Sequence, residues 1–244
     1  MSIAEDLTII AENVPIVHQV GYAKGEGDFW DVVQRSGART FYEYGFAYWD
    51  SEYLHPKHKV IPKNCRTISM FQTMRYLKIV EKEYFDLSQC TYSDTTSTQG
   101  NYTTFRGCNK LQTIEDVGMQ SGYYYQTFNT CESLETIEIF RCNETTNFYQ
   151  PFNKSTKIKN ITLEGTIGQN NFDISMCPDL TEKSIISIVS ALSENLTASK
   201  TITLPKTAVR THFPNDNSIA GAEWSNVKWS SLIEKKTNWN FAFN

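Results

Sequence analysis

From Phe105 the apolar positions fall at every third residue, as Phe105, Cys108, Leu111 and Ile114. The cadence returns in "FNTCESLETIEI", as Phe128, Cys131, Leu134 and Ile137, and then passes into the alternation Ile137, Ile139. It returns once more as Phe152, Ser155, Ile158 and Ile161, so the intervals are 23 and 24 residues. An earlier frame, Phe71, Met74, Leu77 and Val80, stands 34 residues before Phe105 and implies an insertion between the two. A unit this short cannot bury its apolar face alone and has to stack on its neighbours. The pattern therefore predicts a short turn or helical piece that points the Phe and the Cys, Met or Ser inward. After it come the strands "TIEDV", "TIEIF" and "NITLEG", stacked in parallel. Cys131 recurs with the period as Cys108 and is replaced by Met74 and Ser155, which predicts packing rather than chemistry at that column.

The two ends depart from the period. After Cys177, Thr181 is placed to cap a helix whose apolar residues Ile185, Ile188, Val189 and Leu192 follow the helical spacing, and "KTITL" then reads as a strand. The final stretch predicts a short helix from Trp229 and a strand from Trp239 to Phe243, suited to covering the last apolar face. At the other end Ile3, Leu7, Ile10, Val14 and Val17 alternate steps of four and three, the spacing of an oligomerising helical stem, although Pro15 would break a continuous helix. A helix-like start at Phe29 to Val33 and an aromatic stretch follow, and read as an N-terminal cap. The expected class is an α/β solenoid, a short stack of parallel strands with a helical and aromatic N-terminal cap and helix-strand C-terminal caps. The expected divisions are 1–22 (helical stem or attachment segment), 23–66 (aromatic cap), 67–180 (repeats) and 181–244 (capping units).

Composition narrows the function. An apolar content of 40% supports a sizeable core, and a net charge of −4 without a Lys/Arg run argues against nucleic acid as a partner. The first twenty residues carry acids where a secretion signal carries positive charge, and hold no apolar run of membrane length, so synthesis in the cytoplasm without membrane insertion is expected. Six cysteines occur without metal spacing and are expected to be reduced thiols. His55 and His58 in "LHPKHK" lack a third ligand, and "GYAKGEG" lacks the context of a phosphate loop. Asp28, Asp31, Glu43 and Asp50 could be paired across the aromatic segment as in a glycosidase, which is the lesser alternative. No catalytic residue, metal or cofactor is expected. Aromatics reach 13% and crowd into two runs. Tyr42, Tyr44, Tyr48, Trp49, Tyr123, Tyr124 and Tyr125 are the candidate binding residues, with alternate members of each run expected in the core.

The Phe-x-x-Cys-x-x-Leu-x-x-Ile units resemble the BspA-like leucine-rich repeats of gut bacteria and their phages. The phrase "ITLEGTIGQNNFDISMCPDLTEKSIISIVSALSENLTASKTITL" is similar to a tail common in such proteins, and "AENVPIVHQVGYAKGEGDFWDVVQ" to a leader of phage-encoded members. The resemblance spans roughly residues 11–204 and carries no catalytic motif. It implies a virion component (tail, fibre or capsid-decorating) that binds a host-surface glycan or protein, and associates with other virion proteins or with itself. The alternative it implies is a bacterial cell-surface adhesin.

Overall fold

The structure, a computed structural model, describes residues 78–82, 88, 104–118, 123–214 and 229–244, together with the backbone of six short strands nearer the N-terminus. Those six are β1 (Ile9–Glu12), β2 (Ile16–Val20), β3 (Asp31–Arg35), β4 (Thr40–Phe41), β5 (Val60–Lys63) and β6 (Arg66–Thr67). The main body follows with β7 (Ile79–Val80), β8 (Thr113–Asp116), β9 (Tyr123–Tyr125), β10 (Thr136–Cys142), β11 (Asn147–Tyr149), β12 (Asn160–Gly165) and β13 (Phe172–Asp173). Helix α1 (Glu182–Ser190), β14 (Lys200–Leu204), α2 (Lys206–His212), α3 (Trp229–Ile233) and β15 (Trp239–Phe243) complete it. Parallel strands in sheets with few helices make this an arrangement of the α/β kind; among the described strands only β2 and β3 pair antiparallel.

The period in the sequence becomes register in the sheet. Strands β7, β8, β10 and β12 lie side by side, with Val80 opposite Ile114, Ile114 opposite Ile137, and Ile137 opposite Ile161. All four are essentially buried. One turn earlier in each unit the phenylalanines stack face to face, Phe105 on Phe128 at 5.6 Å and Phe128 on Phe152 at 5.4 Å between ring centroids. Ring spacings slightly above the strand spacing of about 4.8 Å are what offset stacking along such a ladder allows. The frame extends one unit beyond the predicted set, as the buried residues Ile174, Cys177 and Leu180.

Between the Phe and Cys columns each turn needs one residue in the left-handed region, filled by Gly107 (φ 78°), Thr130 (φ 61°) and Lys154 (φ 63°). A charge chain, buried at Asp116 and open at Glu164, pins the other end of the strands. Arg141 of β10 donates two bonds to the fully buried Asp116 of β8, at 2.9 and 2.8 Å, and pairs with Glu164 of β12 at 2.8 Å. Beyond β12 the place of a further strand is taken by α1. Thr181 caps the helix, accepting from the Ser184 amide, and two of its serines meet the strand's outer edge. The Ile161 amide donates to Ser184 Oγ at 2.9 Å and the Leu163 amide to Ser187 Oγ at 2.8 Å, so β12's edge donors are satisfied by hydroxyls. Lys236, 6% exposed, then reaches the carbonyls of Ser190 and Leu192, which holds the last unit onto the C-terminal end of α1.

The N-terminal helices expected from spacing are corrected. Ile10 lies in β1, paired with β5, and Val17 lies in β2, paired with β3 and β4, so these positions are extended. Ile3, Leu7 and Val14 lie outside the described residues. The helix-like start at Phe29 to Val33 likewise gives way to β3 over Asp31–Arg35. The physical reason is the side chains: Ile9, Ile10, Ile16, Val17, Val32 and Val33 are β-branched, stiff in a helix and well suited to a pleated surface.

Two substitutions test this packing. At Gly165 (φ +105°) a Cβ would overlap the carbonyl oxygen of Cys142 on the neighbouring strand, so Gly165→Ala should destabilise by about 3 kcal/mol or more in urea unfolding. Thr130→Gly should stabilise by about 0.5–1 kcal/mol, because it removes a β-branched side chain from the left-handed region.

Candidate functional site

Strand β9 is three consecutive tyrosines, and its alternation decides which of them can meet a ligand. It pairs in parallel with β11, Tyr123 opposite Asn147, Tyr124 opposite Phe148 and Tyr125 opposite Tyr149. Tyr124 points inward and is fully buried. Its ring lies 4.6 Å from Phe140 and stacks on Phe148 at 5.8 Å, while its hydroxyl donates to the Arg141 carbonyl oxygen. Tyr124 is therefore a core residue with its polar end satisfied, which corrects its place among the binding candidates. Tyr123 and Tyr125 are half-buried on the outward face, in edge contact at 5.7 Å. Tyr42, Tyr44, Tyr48 and Trp49 lie outside the described residues.

The sequence reading missed Tyr149. Its ring stacks on Tyr125 at 5.0 Å with planes 7° apart, and at 44% exposed it is among the most open large side chains of the described residues. The signal was present, since Tyr149 follows Tyr125 by 24 residues, the interval of the core columns. Beside this ledge the amides of Gln126 and Gln150 form a second pair at 3.4 Å, again 24 residues apart.

The outward face changes character one unit further on. Strand β13 pairs with β14 rather than extending the β9–β11 sheet, so the surface opens between β11 and β13. A cavity of about 250 Å³ lies there. Gln150 and Pro151 line one side, Asn171, Asp173, Thr201 and Thr203 the other, over Phe148 and Phe172. The last two rings meet edge to face at 4.7 Å and brace the opening from below. Asn171 accepts from the Thr201 amide at 2.9 Å and Asp173 from the Ser175 amide at 2.9 Å, which fixes both side chains at the rim. The arrangement offers an aromatic ledge, amides, hydroxyls and one carboxylate along a single outward surface.

The cysteine column is built for packing with one added duty. Cys131 Sγ donates to the Phe105 carbonyl oxygen at 3.0 Å, and Ser155 Oγ donates to the Phe128 carbonyl oxygen from the equivalent place. A small side chain with a donor thus satisfies the carbonyl of the preceding turn, which explains why Cys and Ser interchange there. Cys108, Cys131, Cys142 and Cys177 are buried free thiols. Burial, and after it the neighbouring Cys108, pushes the Cys131 thiol well above its ordinary value, so the reactive thiolate is disfavoured. Cys65 and Cys90 lie outside the described residues, as do His55, His58, Asp28, Glu43 and Asp50. Among the described residues no three His, Cys, Asp or Glu side chains gather as they would around a metal ion, and no helix is long and apolar enough to cross a membrane. Comparison with protein-family models, curated proteins and solved structures finds no match to this chain.

The thiols carry a pH dependence. Burial raises Cys142 from 9.0 to about 12, so the folded protein keeps the neutral thiol while the unfolded chain ionises from the ordinary value. The stability contributed is complete below pH 9 and falls as pH rises toward 12. The urea midpoint should drop between pH 8.5 and 10.5, and the drop should be smaller in Cys142→Ala.

Proposed function

We propose that the chain is a non-enzymatic recognition component of a phage virion, in a tail, fibre or capsid-decorating position. In this reading it is a short leucine-rich-repeat-like solenoid of the BspA-like type, bound to other virion proteins or to itself, which engages a host-surface glycan or protein. The observation that carries the reading is the Tyr125–Tyr149 ledge, two aromatic rings stacked at 5.0 Å on the outward side of a sheet whose inward residues, Tyr124 and Phe148, pack toward the core. Rings held in place by their own stacking lose little freedom on meeting a partner, and tyrosine presents a large flat area with a polar end. The in-register Phe and Ile columns, with one left-handed residue per turn, support the solenoid part of the proposal.

Purified full-length chain should be retained by intact cells from a panel of gut bacteria. Tyr149→Ala should weaken retention by about 30-fold, the size of an aromatic hot spot of about 2 kcal/mol. Its thermal midpoint should stay near that of the parent chain, because the Tyr149 ring is 44% exposed. Retention unchanged by Tyr149→Ala, with Tyr125→Ala equally silent, would remove the ledge from the mechanism.

A further inference from the structure

The two halves of the outward face complement each other in a way the ledge alone does not explain. Counting by the same 24-residue interval, Tyr125 and Tyr149 are followed by Asp173, which pairs in register with Thr203. The neighbouring column runs Tyr123, Asn147 and Asn171, and Asn171 bonds to the Thr201 amide. Each outward column thus begins aromatic and ends polar: the first changes between Tyr149 and Asp173, at the opening between β11 and β13, and the second one strand earlier, between Tyr123 and Asn147. Inward-facing residues at the same turns stay apolar, as Tyr124, Phe148 and Phe172, so the change belongs to the surface and not to the core.

We propose that this groove is a saccharide subsite that takes a neutral pyranose ring, an inference that rests on the recognition reading above and names its ligand class. A pyranose has two chemically different aspects, a face of C–H bonds and a rim of hydroxyls. The C–H face suits the electron-rich face of a tyrosine ring, and the hydroxyl rim needs groups that both donate and accept. The rings of Phe148 and Phe172 line the groove, and Tyr149, stacked on Tyr125 and next in sequence to the lining residue Gln150, extends the aromatic surface at its rim and supplies the first. Gln150, Asn171, Asp173, Thr201 and Thr203 supply the second around the cavity of about 250 Å³. That volume lies below the range of about 300–1,000 Å³ that encloses a drug-sized molecule, so the groove suits one ring of a longer chain. The charge selects further. Among the described residues that line the groove Asp173 is the one ionisable side chain, and a carboxylate accepts from sugar hydroxyls but repels uronates and sialic acids.

The test uses the full chain and matched probes. Methyl pyranosides of glucose, galactose and mannose, each set against the corresponding methyl uronate, are titrated with saturation-transfer NMR as the readout. At least one neutral pyranoside should bind in the millimolar range, with its uronate at least ten-fold weaker. Tyr149→Ala should weaken that binding at least ten-fold. Asp173→Asn should weaken the neutral sugar several-fold and narrow the gap to the uronate, and it keeps a side-chain oxygen for the Ser175 amide. Failure of every neutral pyranoside to bind would overturn the subsite, and so would binding that both variants leave unchanged. Retention on host cells that needs Tyr149 without any pyranoside binding would overturn the subsite and leave the recognition reading standing. Pyranoside binding without retention on any cell would uphold the subsite and remove the virion-recognition role.

Discussion

The ring of Phe128 lies nearly parallel to that of Phe105 on one side and Phe152 on the other, and the positions around it inherit their spacing from that contact. Stacking of identical positions demands that each turn of chain sit over the last without slipping. A slip of one residue would turn every inward side chain outward, exposing Ile114, Ile137 and Ile161 together. The same constraint acts on the surface. Once the phenylalanines fix the register, Tyr125 has to meet Tyr149 and Gln126 has to meet Gln150, whatever purpose those residues serve. Core and candidate site are one arrangement seen from its two sides.

The parts of this arrangement that were legible in the sequence are those in which one physical demand repeats. The Phe, Cys and Ile columns recur because each turn buries the same face, and the strands they foretold fall at β8, β10 and β12. The helix after Thr181 was legible from its cap and its apolar spacing. Strands β9, β11 and β13 were not, since two or three residues give alternation no room to declare itself. Tyr124 could not be sorted from its neighbours until β9 was recognised as extended, and Tyr149 needed the interval carried onto the outward face. At the N-terminus Ile10 and Val17 fit helical spacing by position, yet the pairing of β1 with β5 and of β2 with β3 decided the outcome. Pairing between distant segments is a tertiary effect that a local period does not contain.

The Cys column shows how one demand can look like another. Recurrence argued for packing, and burial agrees, but the choice of Cys or Ser answers a hydrogen-bonding need: the Phe105 and Phe128 carbonyls each receive a donor from the next turn. Met74 stands in the same column of the sequence but cannot donate. The column therefore follows polarity as well as volume.

The contact between α1 and β12 has a bearing on assembly. A sheet that grows by adding like turns has no length of its own, and its last strand offers bare amides on which a stranger's backbone could lay down the next layer. Ser184 and Ser187 occupy the amides of Ile161 and Leu163, and they do so from a helix, which cannot itself be extended sideways as a strand. At this edge the ladder ends by a chemical stop, so copies crowded side by side are kept from fusing there into a fibre.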